Sequence, residues 1–304
     1  MRIERTTAWA IKSEHTDSFE AANLHFEQDD TYINQDGVHV CGPASRVTIR
    51  NLTGETWDDT AVLNVGGAVD AYGPLHGGGP IEHASIRNIY VGGHRPVRAF
   101  TERGRSLRDV EISDVSTWGP VTNNAVELNA TYASEIPSPD DVRDIRIRNV
   151  RGENCEQVIY LDSPATDLRI DGVTARNVSD AAVHFGRQMG AVSVRGVDHR
   201  SDPAVVTDAD AGDSGTEHPE TATVRWTGEP ADGDFVIRDI VVRESGSADG
   251  GGHTVAAAET ARAGLAVTID GVDARGTDRL FALGDARTVL RNVSTRDANG
   301  TPGA

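Results

Sequence analysis

Val47-Thr48-Ile49-Arg50-Asn51-Leu52 is one copy of a phrase that recurs along this chain: apolar residues alternate with others, and an Asn, Asp or Gly precedes the last apolar residue. Alternation with a period of two over five or six residues predicts a half-buried strand. The Asn, Asp or Gly tolerates a bend or a left-handed conformation. Further copies lie at 84–89, 110–115, 145–150, 168–173, 236–240, 267–272 and 288–293, with weaker ones near 22–24 and 195–197.

The spacing of these copies predicts a stacked coil. Their bend residues are at positions 23, 51, 88, 114, 149, 172, 196, 239, 271 and 292. Successive copies are thus 21 to 43 residues apart, and the shortest spacings fall between 21 and 28. A constant minimum with a variable excess is typical of a solenoid whose turns carry loops of different length.

A second series of short strands alternates with the first. Its members are at 37–40, 60–64, 97–100, 125–129, 158–162, 183–186 and 280–284. Two or three strands per turn without a helical period predict an all-β fold, a right-handed, single-stranded parallel β-helix of about ten coils. We expect one domain over residues 1–304. Clusters of Gly, Pro and Asp predict loop insertions near 66–80, 130–141, 208–233 and 246–252.

The composition narrows the possible partners. The chain has 47 acidic residues against 29 Lys and Arg, a formal net charge of −18, and Lys12 is its one lysine. This balance disfavours nucleic acid and anionic membrane, which both require a positive surface. An acidic, lysine-poor surface is typical of proteins from salt-loving microbes, where screening limits self-repulsion.

Other features argue against several classes of protein. No run of 18 apolar residues predicts a transmembrane helix. Cys41 and Cys155 have no neighbours at metal-ligand spacing, so we expect neither a metal nor a cofactor. No signal peptide is visible after Met1. We expect a cytoplasmic protein if Met1 is the true start, and an extracellular one if the N-terminus is truncated.

Three carboxylates are predicted to meet at the starts of second-series strands. Asp36 and Asp58 are 22 residues apart, about one minimal coil, and Asp59 follows directly. Neighbouring strands are about 4.8 Å apart, and His94 occupies the equivalent place one coil later. Such crowding raises the pKa of at least one carboxyl group, which can then act as a general acid.

These residues resemble a known family. Asn34-Gln35-Asp36-Gly37, then Asp58-Asp59, then Gly93-His94-Arg95 are similar to the Asn-Thr-Asp-Gly, Asp-Asp and Gly-His-Gly motifs of glycoside hydrolase family 28, the polygalacturonases. The resemblance covers roughly residues 5–150. The family usually has more residues before its first motif. We therefore expect that N-terminal coils are missing or that the gene start is misplaced.

The resemblance implies inverting hydrolysis of a glycosidic bond in a pectin-like or other acidic polysaccharide. One carboxylic acid protonates the leaving oxygen and another carboxylate activates water, with the pair about 6.5–9.5 Å apart. By position, Asp58 or Asp59 is the acid or belongs to the base set, and Asp36 is the other base-side carboxylate. His94 tunes the protonation of the acid.

The sequence differs from the family at two motifs, one of which binds a carboxylate of the substrate there. Arg95 replaces the second Gly of Gly-His-Gly, and the Arg-Ile-Lys strand aligns with Glu127-Leu128-Asn129. Arg98, one coil earlier, is the candidate replacement, because a guanidinium binds a carboxylate in a bidentate manner. Alternation places His39, Arg98, Glu127, Tyr160 and His184 on the outer face, as a sugar groove or as an ordinary solvated surface. The candidate substrate-binding residues are Asn34, His39, Arg95, Arg98, Glu127 and Tyr160.

Three functions remain open on the sequence. The first is a polygalacturonase-like hydrolase acting on a polysaccharide or oligosaccharide, which we expect to be a monomer. The second is a non-catalytic carbohydrate-binding or surface β-helix protein, suggested by the lost Arg-Ile-Lys motif. The third is a polysaccharide lyase or epimerase, which needs a Lys or Arg base; with one lysine, it ranks last.

Overall fold

The computed structural model describes residues 1–29, 32, 34–66, 68–70, 73–76, 78–118, 123–130, 132–201, 221–228, 234–244, 253–258, 266–275, 277, 279–283 and 286–296. Within them, the helical structure consists of one 3-10 turn, Pro139–Asp141. The strands are β1 (Arg2–Glu4), β2 (Ile11–Thr16), β3 (Phe19–Glu27), β4 (Val38–Glu55), β5 (Asp59–Asn64), β6 (Ala68–Asp70), β7 (Gly73–His76), β8 (Ile81–Gly92), β9 (Arg95–Phe100), β10 (Leu107–Thr117), β11 (Asn124–Asn129), β12 (Val142–Glu153), β13 (Gln157–Asp162), β14 (Thr166–Arg176), β15 (Ala181–Phe185), β16 (Val192–Ser201), β17 (Thr221–Trp226), β18 (Asp234–Glu244), β19 (His253–Ala258), β20 (Ala266–Arg275), β21 (Arg279–Ala282) and β22 (Arg287–Arg296).

The chain folds as a parallel β-helix built from two ladders of parallel strands. The long ladder runs through β1, β3, β4, β8, β10, β12, β14, β16, β18, β20 and β22. Each predicted copy of the repeated phrase lies in it, and the pairing steps equal the predicted spacings: Val47 pairs with Ala84, and Ala84 with Val110. The predicted fold class is confirmed.

The predicted bend residues adopt the left-handed conformation. All ten have a positive φ, between 49° and 76°: Asn23, Asn51, Asn88, Asp114, Asn149, Gly172, Gly196, Asp239, Gly271 and Asn292. Stacking lets their amides bond between coils, since Asn51 Nδ2 donates to Asn23 Oδ1 (2.8 Å) and Asn88 Nδ2 to Asn51 Oδ1 (3.0 Å). Asn and Asp tolerate this conformation better than other side-chain-bearing residues, so the composition of the bend column follows from its geometry.

The core is a column of apolar side chains inside the coils. Ile49, Ile86, Ile112, Ile147 and Ile170 pair in succession, and each exposes at most 1% of its surface. Every coil therefore buries its apolar residues against the coils above and below. One coil alone could not do so, which explains why such repeats are stable only when stacked.

The second ladder runs through β2, β4, β5, β9, β11, β13, β15, β17, β19 and β21. The loop prediction over 208–233 is wrong in part, because β17 (Thr221–Trp226) lies within it and buries Val224 and Trp226. Turn-forming residues on both sides obscured this strand. No helix among the described residues is long and apolar enough to cross a membrane.

The other predicted insertions differ from one another. Region 66–80 holds the antiparallel pair β6 and β7. Region 130–141 ends in the 3-10 turn. Region 246–252 lies outside the described residues.

Candidate active site

The outer face of the second ladder carries a row of side chains in register, most of them polar. In register, His39 pairs with Val62, Val62 with Arg98, Arg98 with Glu127, Glu127 with Tyr160, Tyr160 with His184, and His184 with Arg225. The neighbouring residues Val38 and Val40 belong to the apolar core instead. The predicted alignment of His39, Arg98, Glu127, Tyr160 and His184 is thus confirmed. Val62 interrupts the row and Arg225 extends it.

The strand register pairs the carboxylates differently from the expectation. Val38 pairs with Ala61, a step of 23 residues, and the Gly37 amide donates to the Asp59 carbonyl at 2.9 Å. Asp36 is therefore in line with Asp59, and the expected alignment with Asp58 is wrong by one residue. The step is 23 because Ala61 and Leu63 must face the core with Val38 and Val40.

Asp36 lies in a nearly closed environment, with 3% of its surface exposed. Its Oδ2 is 3.0 Å from Nδ1 of His39, whose ring stacks on Trp9 with centroids 3.9 Å apart. Burial, with repulsion from the Asp59 and Asp58 carboxylates, raises the pKa of Asp36 to about 9. Asp36 therefore holds its proton at neutral pH.

Asp59 lies beside two guanidinium groups. Its Oδ2 is 3.2 Å from Arg98 Nη1, and its Oδ1 is 3.8 Å from Arg95 Nη1. Burial raises the pKa of Asp59 to about 7, although the two arginines oppose this effect. Asp59 therefore titrates within the neutral range, whereas Asp36 titrates above it.

Glu127 completes the network on the other side of the arginines. Its carboxylate pairs with Arg95 and, at 3.5 Å, with Arg98. It also accepts hydrogen bonds from the side-chain amides of Asn124 and Asn129. Asp59 and Glu127 thus balance the buried cation Arg98 and the half-buried cation Arg95, and such pairing is what buried charges require.

Asp58 and His94 form the more open rim of this cluster. Both are half-buried, and the pairing of Asp59 with Arg95 places Asp58 in line with His94. Burial and the Arg95 charge lower the pKa of His94, and Asp58 opposes them. His94 is therefore neutral at pH 7. We call the cluster of Asp36, Asp58, Asp59 and His94 the acid ledge.

The remaining predicted substrate-binding residues have different surroundings. His39, Arg98 and Glu127 were expected on an outer face, as a sugar groove or as a solvated surface. They are instead buried, in contact with Trp9, Asp59 and Arg95 respectively. Arg98 also lies 4.4 Å from the Phe100 ring centroid. Asn34 is exposed with a φ of 62°. Tyr160 is half-buried, and burial together with Asp162 raises its pKa.

A second buried polar cluster was not predicted. Asp180 Oδ2 is 2.8 Å from His184 Nδ1 and accepts from Gln157 Nε2 at 2.6 Å, and Asp180 Oδ1 is 2.8 Å from Arg225 Nε. Burial opposes its charge, but these partners outweigh it and lower the pKa of Asp180. The signal was available: Asp180 precedes a strand whose outer residue is His184, as Asp36 precedes His39.

The described residues hold no group of three or more His, Cys, Asp or Glu side chains arranged to bind a metal ion. The fold and site together define a class, a parallel β-helix protein with a buried acidic cluster at the starts of its second-ladder strands. Comparisons with protein-family models, curated proteins and solved structures found no match.

Proposed function

We propose that this protein is a glycoside hydrolase that cleaves a polysaccharide by inverting acid/base hydrolysis at the acid ledge. The observation that carries the proposal is that two buried carboxyl groups in register, Asp36 beside His39 and Asp59 beside Arg98, have different surroundings. Asp36 has a pKa of about 9 and Asp59, in line with it, a pKa of about 7. Pairs of carboxyl groups whose surroundings separate their pKa values are typical of acid and base partners in glycosidases.

The protonation states suggest roles. Asp36 is the proton donor to the glycosidic oxygen, in place of the base-side role that the family resemblance implied. Asp58 or Asp59 takes a proton from water, whose oxygen attacks the anomeric carbon from the face opposite the leaving group. The bond to the glycosidic oxygen breaks as that oxygen receives the Asp36 proton. His94, neutral and half-buried beside Asp58, is positioned to hydrogen-bond to substrate or water.

The test is release of reducing ends from a polysaccharide panel in molar salt. We expect activity from the wild type, and losses of about 10²–10⁴-fold in Asp36→Asn, Asp58→Asn and Asp59→Asn, the range for a missing acid or base. Asp180→Asn is the matched control, because Asp180 is equally buried and bonded to a histidine of the same row. A folded wild type without activity on any polysaccharide would contradict the proposal.

A second candidate, a non-catalytic carbohydrate-binding β-helix, is favoured by one observation. The Asp36 and Asp59 side chains expose 4% and 3% of their surfaces, which limits their access to a substrate. This candidate predicts polysaccharide binding without turnover, and binding unchanged in Asp58→Asn. Affinity measurements on the same panel separate the two candidates.

A further inference from the structure

A pocket lies at the ends of three long-ladder strands, β8, β10 and β12. Its volume is about 370 Å³, and its lining includes Tyr90, Ser116, Trp118, Arg151, Glu153 and Asn154. Tyr90, Ser116 and Arg151 pair in register on successive coils. The pocket is thus built by three stacked coils. Its volume is within the range of small-ligand sites.

Two aromatic side chains of the pocket face solvent. Tyr90 exposes 56% of its surface and Trp118 39%. The indole lies over Gly92, where an added Cβ would be 3.4 Å from ring carbons. Aromatic rings that leave an apolar surface in contact with water favour a ligand with one apolar face and polar edges. A pyranose ring has that character, because its axial C–H groups form an apolar face and its hydroxyl groups lie at the edge.

The polar groups of the pocket carry no net charge. Arg151 Nη2 donates to Glu153 Oε2 at 3.1 Å, so the one cation among the lining residues already has an anionic partner. Ser116 and Asn154 add a hydroxyl and an amide that can donate to and accept from sugar hydroxyls. The carboxylate of a uronate would be repelled by Glu153, and Arg151 is already paired and does not offer it an unbalanced positive charge. These charges favour a neutral sugar.

A relay of hydrogen bonds runs from Gly92, which contacts the Trp118 ring, to the backbone of Asp58. The carbonyl of Gly92, beneath the indole, accepts from the Thr56 amide at 3.2 Å, and Thr56 Oγ1 donates to the Asp58 carbonyl at 3.0 Å. His94 follows Gly92 by two residues, a separation of at most about 7 Å. The pocket and the rim formed by Asp58 and His94 are therefore joined through the ends of β4 and β8.

We propose that the pocket is a subsite for a neutral pyranose unit, stacked on Trp118 and Tyr90, of the glycan that reaches the acid ledge. That this subsite binds a unit of the glycan cleaved at the acid ledge rests on the proposed function. The binding of a neutral sugar does not, and it can be measured without catalysis. The proposal changes the expected substrate from a polyuronate to a glycan that presents at least one neutral sugar here.

The experiment is calorimetric titration of the Asp58→Asn protein in molar salt with cello-, xylo-, manno- and galacto-hexaoses and with hexagalacturonate. We expect at least one neutral hexaose to bind more tightly than hexagalacturonate. Trp118→Ala and Tyr90→Ala should each raise its Kd about tenfold, equivalent to about 1.4 kcal/mol. Trp118→Phe, which keeps an aromatic face, should lose less. Leu290→Ala, which removes an exposed apolar side chain of β22 that does not line the pocket, is the control.

The outcomes distinguish this inference from the proposed function. Binding of a neutral hexaose that depends on Trp118 and Tyr90 supports the subsite even if no polysaccharide is hydrolysed. Absence of binding by all neutral hexaoses overturns it, as does tighter binding of hexagalacturonate. Equal affinities for the wild-type pocket and both alanine variants also overturn it, even if hydrolysis is observed.

Discussion

Nη1 of Arg98 lies 3.2 Å from Oδ2 of Asp59, although 39 residues separate them in the chain. Nη2 of the same guanidinium lies 3.5 Å from Oε1 of Glu127, one coil further on. Because all three side chains are buried, water cannot compensate a missing charge. The network therefore links three successive coils, and removal of any member affects the others.

Arg98→Met should destabilise the fold by about 3–5 kcal/mol, because it leaves Arg95 as the one cation paired with the buried carboxylates of Asp59 and Glu127. The measurement is the free energy of unfolding from denaturant titration at constant salt. Arg148→Met is the comparison variant, since Arg148 pairs with Glu111 at the surface and such pairs contribute about 0–1 kcal/mol. Equal losses in the two variants would show that the Arg98 network does not stabilise the protein.

The free energy of unfolding should fall as the pH rises from about 5 to about 8 through the contribution of Asp36. Its native pKa is about 9, whereas an unfolded Asp titrates near 3.9. Between these values the native state holds a proton that the unfolded state has lost, so rising pH favours unfolding. Asp36→Asn should remove this contribution and become more stable relative to wild type as the pH rises. A constant difference between the two proteins across this range would contradict the raised pKa.

Asn51 tests the bend column. Asn51→Ala should cost about 1–2 kcal/mol, because Ala at a φ of 57° is strained and the amide bonds to Asn23 and Asn88 are lost. Asn51→Gly loses those bonds but relieves the strain, so its thermal midpoint should lie between those of wild type and Asn51→Ala. If Asn51→Gly unfolds at or below the midpoint of Asn51→Ala, backbone strain does not explain the choice of residue, because both variants lack the amide bonds.

Salt should stabilise the protein over a wide range. A net charge of −18 creates self-repulsion that falls as the screening length shortens from about 10 Å at 0.1 M to about 3 Å at 1 M. We expect the thermal midpoint to rise between these concentrations in NaCl. Sodium sulfate at equal ionic strength separates screening from ion exclusion. A midpoint that does not change with NaCl would refute the explanation by screening.

Much of the fold was predictable because its determinants are local. Period-two alternation predicted most of the strands, and Asn, Asp or Gly predicted the ten left-handed residues of the bend column, since each depends on one residue and its neighbours. A second set of residues with positive φ, Arg46, His83, Asp109, Asp144 and Asp167, was not predicted. The strand β17 was missed because turn-forming residues surround it, and Arg225 was missed with it. The one-residue error at Asp58 and Asp59 arose because both are Asp, so composition could not distinguish them.

The sequence by itself determined the repeat, the bend column and the presence of three carboxylates near one strand edge. Only the tertiary structure decided that Asp36 is in line with Asp59 and that both are buried. It also decided that Arg95 and Arg98 are paired with carboxylates, and that Tyr90 and Trp118 line one pocket. The physical reason is that these relationships join residues 23 to 39 positions apart or on different coils. They arise only when core packing sets how one coil rests on the next.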